Sequence, residues 1–151
     1  MKRIGLLAAV LLTGCGTAQE SAAARFTEGE VDVAITASAR EVEVTFRPTR
    51  PGFHIYSLDL PSGGLGIPTR VGVRAGLAAT GAPRAEKPVR WLDLPLLDTR
   101  LPVYPDGPVT VSLPVRRTGR TAEVVVSYGA CSRTVCLPPV IDRVAAVTFT
   151  R

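Results

Sequence analysis

Cysteine is scarce in this chain: Cys15, Cys131 and Cys136 are the only three among 151 residues. So few thiols exclude a disulfide-rich scaffold. Histidine is scarcer still, with His54 alone, on an apolar strand distant from the thiols. Two thiols and one histidine fall short of the four ligands of a closed zinc site, so neither a metal nor a cofactor is expected. The chain lacks a Gly-rich phosphate loop before a helix, a nucleophile elbow and a metal-binding helix. Asp93 and Asp98 flank Leu94 to Leu97 without a spacing that suggests a catalytic carboxylate pair. No stretch approaches the roughly 18 apolar residues that span a bilayer. A surplus of one charge is also modest, with 18 Lys+Arg against 13 Asp+Glu, and 16 against 13 once Lys2 and Arg3 are set aside. The arginines are scattered between strands rather than gathered with aromatics, so no nucleic-acid partner is expected despite a pI near 9.6. What is present is globular: 46% hydrophobic and 21% charged residues, enough for one domain that buries about two-thirds of its unfolded surface.

The N-terminus has its own character. Met1-Lys2-Arg3 precedes an apolar run from Ile4 to Leu12. As a helix that run spans about 13 Å against a hydrocarbon core of about 30 Å, so it reads as a secretory signal peptide. Leu12-Thr13-Gly14-Cys15 resembles the bacterial lipobox, in which the cysteine is acylated and becomes the first residue after cleavage. The expected organisation is a signal peptide over 1–14, a lipidated tether over 15–25 starting at Cys15, and one domain over 26–151. Two or three acyl chains give lasting membrane attachment where one would not. The domain is thus expected to be exported to the cell envelope, where disulfides persist, and to be a monomer held at the membrane by lipid.

From residue 29 onward the apolar residues alternate. Val31, Val33 and Ile35 keep a period of two, as do Val42, Val44 and Phe46. The same period runs through Val109, Val111, Leu113 and Val115, and again through Val124, Val126 and Tyr128. Turn signals separate these runs, among them Pro51-Gly52, Pro105-Asp106-Gly107-Pro108, Arg117-Thr118-Gly119 and Pro138-Pro139. Thirteen prolines and fourteen glycines leave no room for a long helix. Seven or eight short strands without helices between them predict an all-β, antiparallel sandwich, with an immunoglobulin-like fold favoured.

Cys131 and Cys136 bracket four residues at the end of a hairpin, where two Cα atoms come within disulfide range. A structural disulfide closing so short a loop stabilises by only about 2 kcal/mol on the loop-entropy argument. An exchangeable dithiol is the competing reading, since an exposed short-loop disulfide is open to attack by a partner thiolate. Arg133 inside the loop would favour a thiolate, although solvation alone accounts for an arginine in a turn. Spacing does not choose between the two.

Tyr128-Gly129-Ala130-Cys131 followed by Cys136-Leu137-Pro138-Pro139 resembles the active-site hairpin of the N-terminal domains of DsbD-type thiol–disulfide interchange proteins. Gly52-Phe53-His54-Ile55-Tyr56 is similar to that family's GWHIY strand, with Phe53 in place of tryptophan, and Gly66-Ile67-Pro68-Thr69 to its G-x-P-T segment. Tyr104-Pro105-Asp106-Gly107 and the strand after it resemble the stretch that follows the family's cap loop. The resemblance implies an immunoglobulin-like fold and a dithiol relay. Partners would be exported thioredoxin-fold proteins and a DsbD- or CcdA-like membrane electron carrier. It implies Cys136 as the more exposed sulfur that forms the mixed disulfide and Cys131 as the one that resolves it. Residues 97–104 would cap the pair, with Tyr104 and Tyr128 as candidates to line the site or cap, although packing alone accounts for a tyrosine at a strand end such as Tyr128. Apart from the resemblance, Trp91 reads as an anchor of the core or of the cap's edge. His54 reads as a satisfied strand residue rather than a base. A non-catalytic envelope lipoprotein with an inert Cys131–Cys136 bond is the alternative.

Overall fold

The computed structural model describes residues 20–150; the expected signal peptide and Cys15 lie outside the described residues. Strand β1 (Ala22–Glu28) opens the domain four residues before its expected start, so Ala22 to Arg25 belong to the sheet and not to the tether. A two-residue turn at Gly29 and Glu30, both at positive φ, sends the chain back as β2 (Val31–Ala37). Positive φ at both central residues gives the twist that two-residue hairpins need. β2 pairs antiparallel with β3 (Glu41–Pro48), and β3 with the first part of β9 (Val109–Tyr128). The short β6 (Arg84–Ala85) lies on the other side of β9 there. The second half of β9 pairs with β5 (Arg70–Ala79) and β11 (Val140–Thr148). All these pairings are antiparallel, and the result is an all-β sandwich, as the alternation predicts.

β9 differs from the expectation. Arg117-Thr118-Gly119 is not a turn; one strand of 20 residues runs through it and passes from one sheet to the other. Its inward residues are odd-numbered from Val109 to Val115 and even-numbered from Ala122 to Tyr128, with exposed Arg120 and Thr121 at the switch. A matching register shift falls between Ala75 and Leu77 on β5. Between these residues two steps on β5 match five on β9, and an odd excess of residues flips the face and bends the strand, which lets both halves point into one core. There Gly119 lies so close to Gly76 that a Cβ on it would be 3.1 Å from the Gly76 Cα. Glycine breaks a strand in a local reading, but here it permits two backbones to cross.

The core is the facing sides of both sheets. Val33, Val44, Phe46, Val111, Val124 and Val126 are fully buried. Burying each such side chain stabilises by roughly 1.5–3 kcal/mol, which is why the alternating pattern decides the fold.

The remaining short elements are grouped at one pole of the sandwich. β4 (His54–Ile55) pairs with β10 (Ala130–Cys131). A second hairpin, β7 (Arg90–Leu94) and β8 (Thr99–Val103), is joined by a 3-10 turn at Pro95–Leu97 and leaves the sandwich as an arm. Its base is tied to the 55–57 segment by Ser57 N–H donating to Pro102 O (3.0 Å) and Tyr104 N–H to Ile55 O (2.9 Å).

Candidate functional site

Cys131 and Cys136 form a disulfide across the tip of a small hairpin. Leu137 N–H donates to Ala130 O at 2.9 Å and Ser132 N–H to Val135 O at 2.8 Å, which closes residues 132–135 into a turn. The Ser132 hydroxyl oxygen accepts from Val135 N–H at 3.0 Å and from Thr134 N–H at 3.3 Å, stiffening it further. Pro138 and Pro139 follow without amide hydrogens to offer a sheet, so β11 pairing begins only at Val140.

The two sulfurs have opposite environments. Cys136 is exposed on the tip together with Arg133, Thr134 and Val135. Cys131 is 0% exposed and belongs to a small second core with Tyr56, Leu60, Leu92, Leu94, Leu101 and Val103. Four of these residues come from the β7–β8 arm, so the arm is a cap over the buried sulfur. The cap is larger than residues 97–104, since half of its apolar underside lies on β7. Trp91 alternates with the buried Leu92 and points outward, 62% exposed, with the Arg100 guanidinium 5.4 Å from its ring centre. It is on the cap and not in the core.

A phenol touches the buried sulfur. The Tyr56 hydroxyl lies 2.6 Å from Cys131 Sγ. A disulfide sulfur has no hydrogen, so the hydroxyl donates. Burial pushes the Tyr56 phenol above the ordinary tyrosine value, which keeps it protonated and a donor near neutral pH. The ring is held by two glycines. A Cβ on Gly129, which faces Tyr56 across the ladder, would be 2.7 Å from its Cε2; a Cβ on Gly66, at φ +80°, would be 2.7 Å from its Cζ. Any larger residue at either position pushes the ring off the sulfur.

Tyr128 and Tyr104, the candidates to line the site or cap, direct their hydroxyls into the scaffold. Tyr128 packs on Phe46 with ring centres 5.2 Å apart, and its hydroxyl donates to Glu28 O at 3.0 Å. The Tyr104 hydroxyl accepts from Leu58 N–H at 3.0 Å and so holds the loop after Tyr56. Sequence reasoning missed Tyr56, although it ends the segment that resembles GWHIY. The available signal was the pair of glycines, which mark a close approach by something large. His54 is also placed differently: far from the cysteines in sequence, it sits directly opposite Cys131 in the β4–β10 ladder. Its ring is engaged elsewhere, with Nδ1 3.1 Å from Tyr104 O and Nε2 3.3 Å from Asp106 Oδ1. Among the described residues no three Cys, His, Asp or Glu side chains gather as a metal site, and no helix is long and apolar enough to cross a membrane.

All three tyrosines are buried and held above the ordinary value of 10.0, chiefly by burial. Below pH 10 folded and unfolded chains keep the same phenol protons, and stability does not change on this account. Above it the unfolded chain releases protons that the folded chain retains, so stability falls as pH rises toward the folded values. Tyrosinate absorbance and loss of the β circular-dichroism signal are expected in one alkaline transition. Tyrosinate forming while the signal is intact would contradict the burial of these rings.

No family model matches the chain, and no curated protein matches it. Among solved structures, the reduced form of the DsbD N-terminal domain of Neisseria meningitidis matches 87% of this chain and 90% of its own, at 18% identity and a TM-score of 0.49.

Proposed function

We propose that this chain is an exported, membrane-anchored thiol–disulfide interchange domain, acylated at Cys15, that relays electrons through Cys131 and Cys136. The observation that carries this reading is the asymmetry of the bond: one sulfur open to solvent, the other buried against a hydrogen-bond donor. An incoming thiolate from a membrane electron carrier of the DsbD or CcdA kind attacks Cys136 Sγ, the accessible atom. The Cys131–Cys136 bond breaks and Cys131 leaves as a thiolate, which the Tyr56 O–H stabilises as the charge develops. The carrier's second thiolate then attacks its own sulfur in the mixed disulfide. Cys136 is released as a thiolate and the carrier is left oxidised. Two electrons have moved, and protons from solvent complete the dithiol.

The same steps in reverse reduce an exported thioredoxin-fold protein: Cys136 attacks its disulfide, and Cys131 displaces the partner from Cys136. The apolar surfaces of Leu96, Leu97 and Trp91 on the cap, and of Val135 beside Cys136, offer such a partner a docking face. The test is the reduction potential of the pair, by equilibration with glutathione or a thioredoxin. A value of about −180 to −270 mV with rapid exchange is expected of a working oxidoreductase. A value below about −300 mV without exchange over hours would make this a structural bond in a binding module.

A further inference from the structure

The arginines that look scattered along the chain converge at the pole opposite the disulfide. The β2–β3 turn brings Arg40 there, with its carbonyl accepting from Val115 N–H at 2.8 Å. The bend of β9 adds Arg116, Arg117 and Arg120 as it crosses from sheet to sheet. Arg117 is occupied, paired with Glu20 and lying 4.6 Å over the Phe149 ring. Arg40, Arg116 and Arg120 are exposed and have no ion pair among the described residues. Glu41, next to Arg40, and Glu43, which lines the same shallow concavity, are two acidic residues against these three arginines. The pole is therefore net positive.

The N-terminus leaves the domain at this same pole. Ala22 pairs with Ala37 at the turn end of β2, whereas Glu28, at the other end of β1, lies beside the strand that leads to Cys131. Seven strand residues separate the two poles by about 20 Å. Glu20 is five residues from Cys15, so its backbone stays within about 18 Å of that residue whatever path the chain takes.

We infer that the Arg40, Arg116 and Arg120 pole is a docking surface for anionic phospholipid headgroups, and that it holds the domain with its disulfide and cap directed away from the bilayer. The tether limits distance, and the arginines set orientation. Guanidinium groups bind phosphate through paired N–H donors, and each basic residue near an anionic surface strengthens binding about fivefold. The placement holds Cys136 at the far side of the domain from the bilayer, within reach of exported partners, and requires the membrane carrier that reduces it to present its thiol on a part that projects from the membrane. Its direction rests on acylation of Cys15, but the lipid contact does not.

The mature chain from residue 15, carrying Cys15→Ser, contains every described strand and separates the contact from the anchor. It is expected to co-sediment with vesicles of equal parts phosphatidylglycerol and phosphatidylcholine, to release as salt rises, and to ignore phosphatidylcholine alone. The triple variant R40Q/R116Q/R120Q should bind on the order of 100-fold more weakly. Its fold and its exchange with a soluble dithiol should be unchanged, so failure of the relay is read separately. In the acylated protein on the same vesicles, Trp91, the single tryptophan, should escape quenching by brominated acyl chains. Undiminished vesicle binding by the triple variant overturns the lipid contact. Strong quenching of Trp91 would mean that the cap, with Leu96 and Leu97, is the membrane face, and overturns the orientation.

Discussion

Replacing Cys136 by serine is expected to abolish disulfide exchange outright, whereas replacing Cys131 by serine should leave a protein that traps its partners. The difference follows from burial. Cys136 is exposed and Cys131 is not, so a partner sulfur reaches the first without rearrangement and the second only if the cap moves. With Cys131 gone, nothing displaces a partner bound to Cys136, and the mixed disulfide persists. Both variants lose the same six-residue cross-link, worth about 2 kcal/mol, so a stability effect alone would make them alike. Incubation of each variant with an oxidised thioredoxin-type protein, read by mass on non-reducing separation, decides the matter. An adduct with the Cys131→Ser variant and none with Cys136→Ser is the expected pattern. Adducts in neither would refute the assignment of roles, and adducts in the Cys136→Ser variant would invert it.

Gly129→Ala should damage both stability and redox behaviour, although it adds a single methyl. The new carbon would lie 2.7 Å from Tyr56 Cε2 and 3.0 Å from its Cδ2, so the ring has to shift. Overpacking of this kind costs about 1–3 kcal/mol, and here the shift also removes the hydroxyl from Cys131 Sγ. The leaving thiolate then loses its donor. A hydrogen bond to a charged group contributes about 1.5–3 kcal/mol, so reduction should slow by one to two orders of magnitude. Tyr56→Phe isolates the second effect, removing the hydroxyl while keeping the ring between Gly66 and Gly129. Gly72→Ala is the control, because its Cβ would meet Val125 O at an ordinary 3.9 Å. Denaturant unfolding and the rate of reduction by dithiothreitol measure the two effects separately. Should Gly129→Ala be reduced as fast as the parent while Tyr56→Phe is slow, the glycine would not act through the ring.

The periodicity of the chain settled a good deal without coordinates. An apolar residue at every second position is enough to say which side of a strand is buried, because side chains alternate across a sheet whatever its neighbours are. The all-β class, the inward faces of β2, β3 and β9, and the hairpin carrying the two cysteines were legible on that ground. Alternation is silent about partners. Tyr128 comes just before Cys131 in the chain and Tyr56 lies 75 positions away, and nothing local says that the distant one reaches the sulfur. The antiparallel register that sets Tyr56 against Gly129, 73 residues away, made that choice.

Likewise a Thr-Gly step reads as a turn until a second backbone is seen crossing it at Gly76. Scattered arginines become a pole only when the bend of β9 and the β2–β3 turn are folded to the same end. The unequal exposure of Cys131 and Cys136 has the same origin. The two residues are alike in type and five positions apart, and the cap, built from residues 90–103, covers one sulfur and leaves the other open. Composition and period depend on neighbours along the chain, but a sulfur's accessibility and its hydrogen-bond donor depend on distant segments, whose places are fixed only when the sheets assemble.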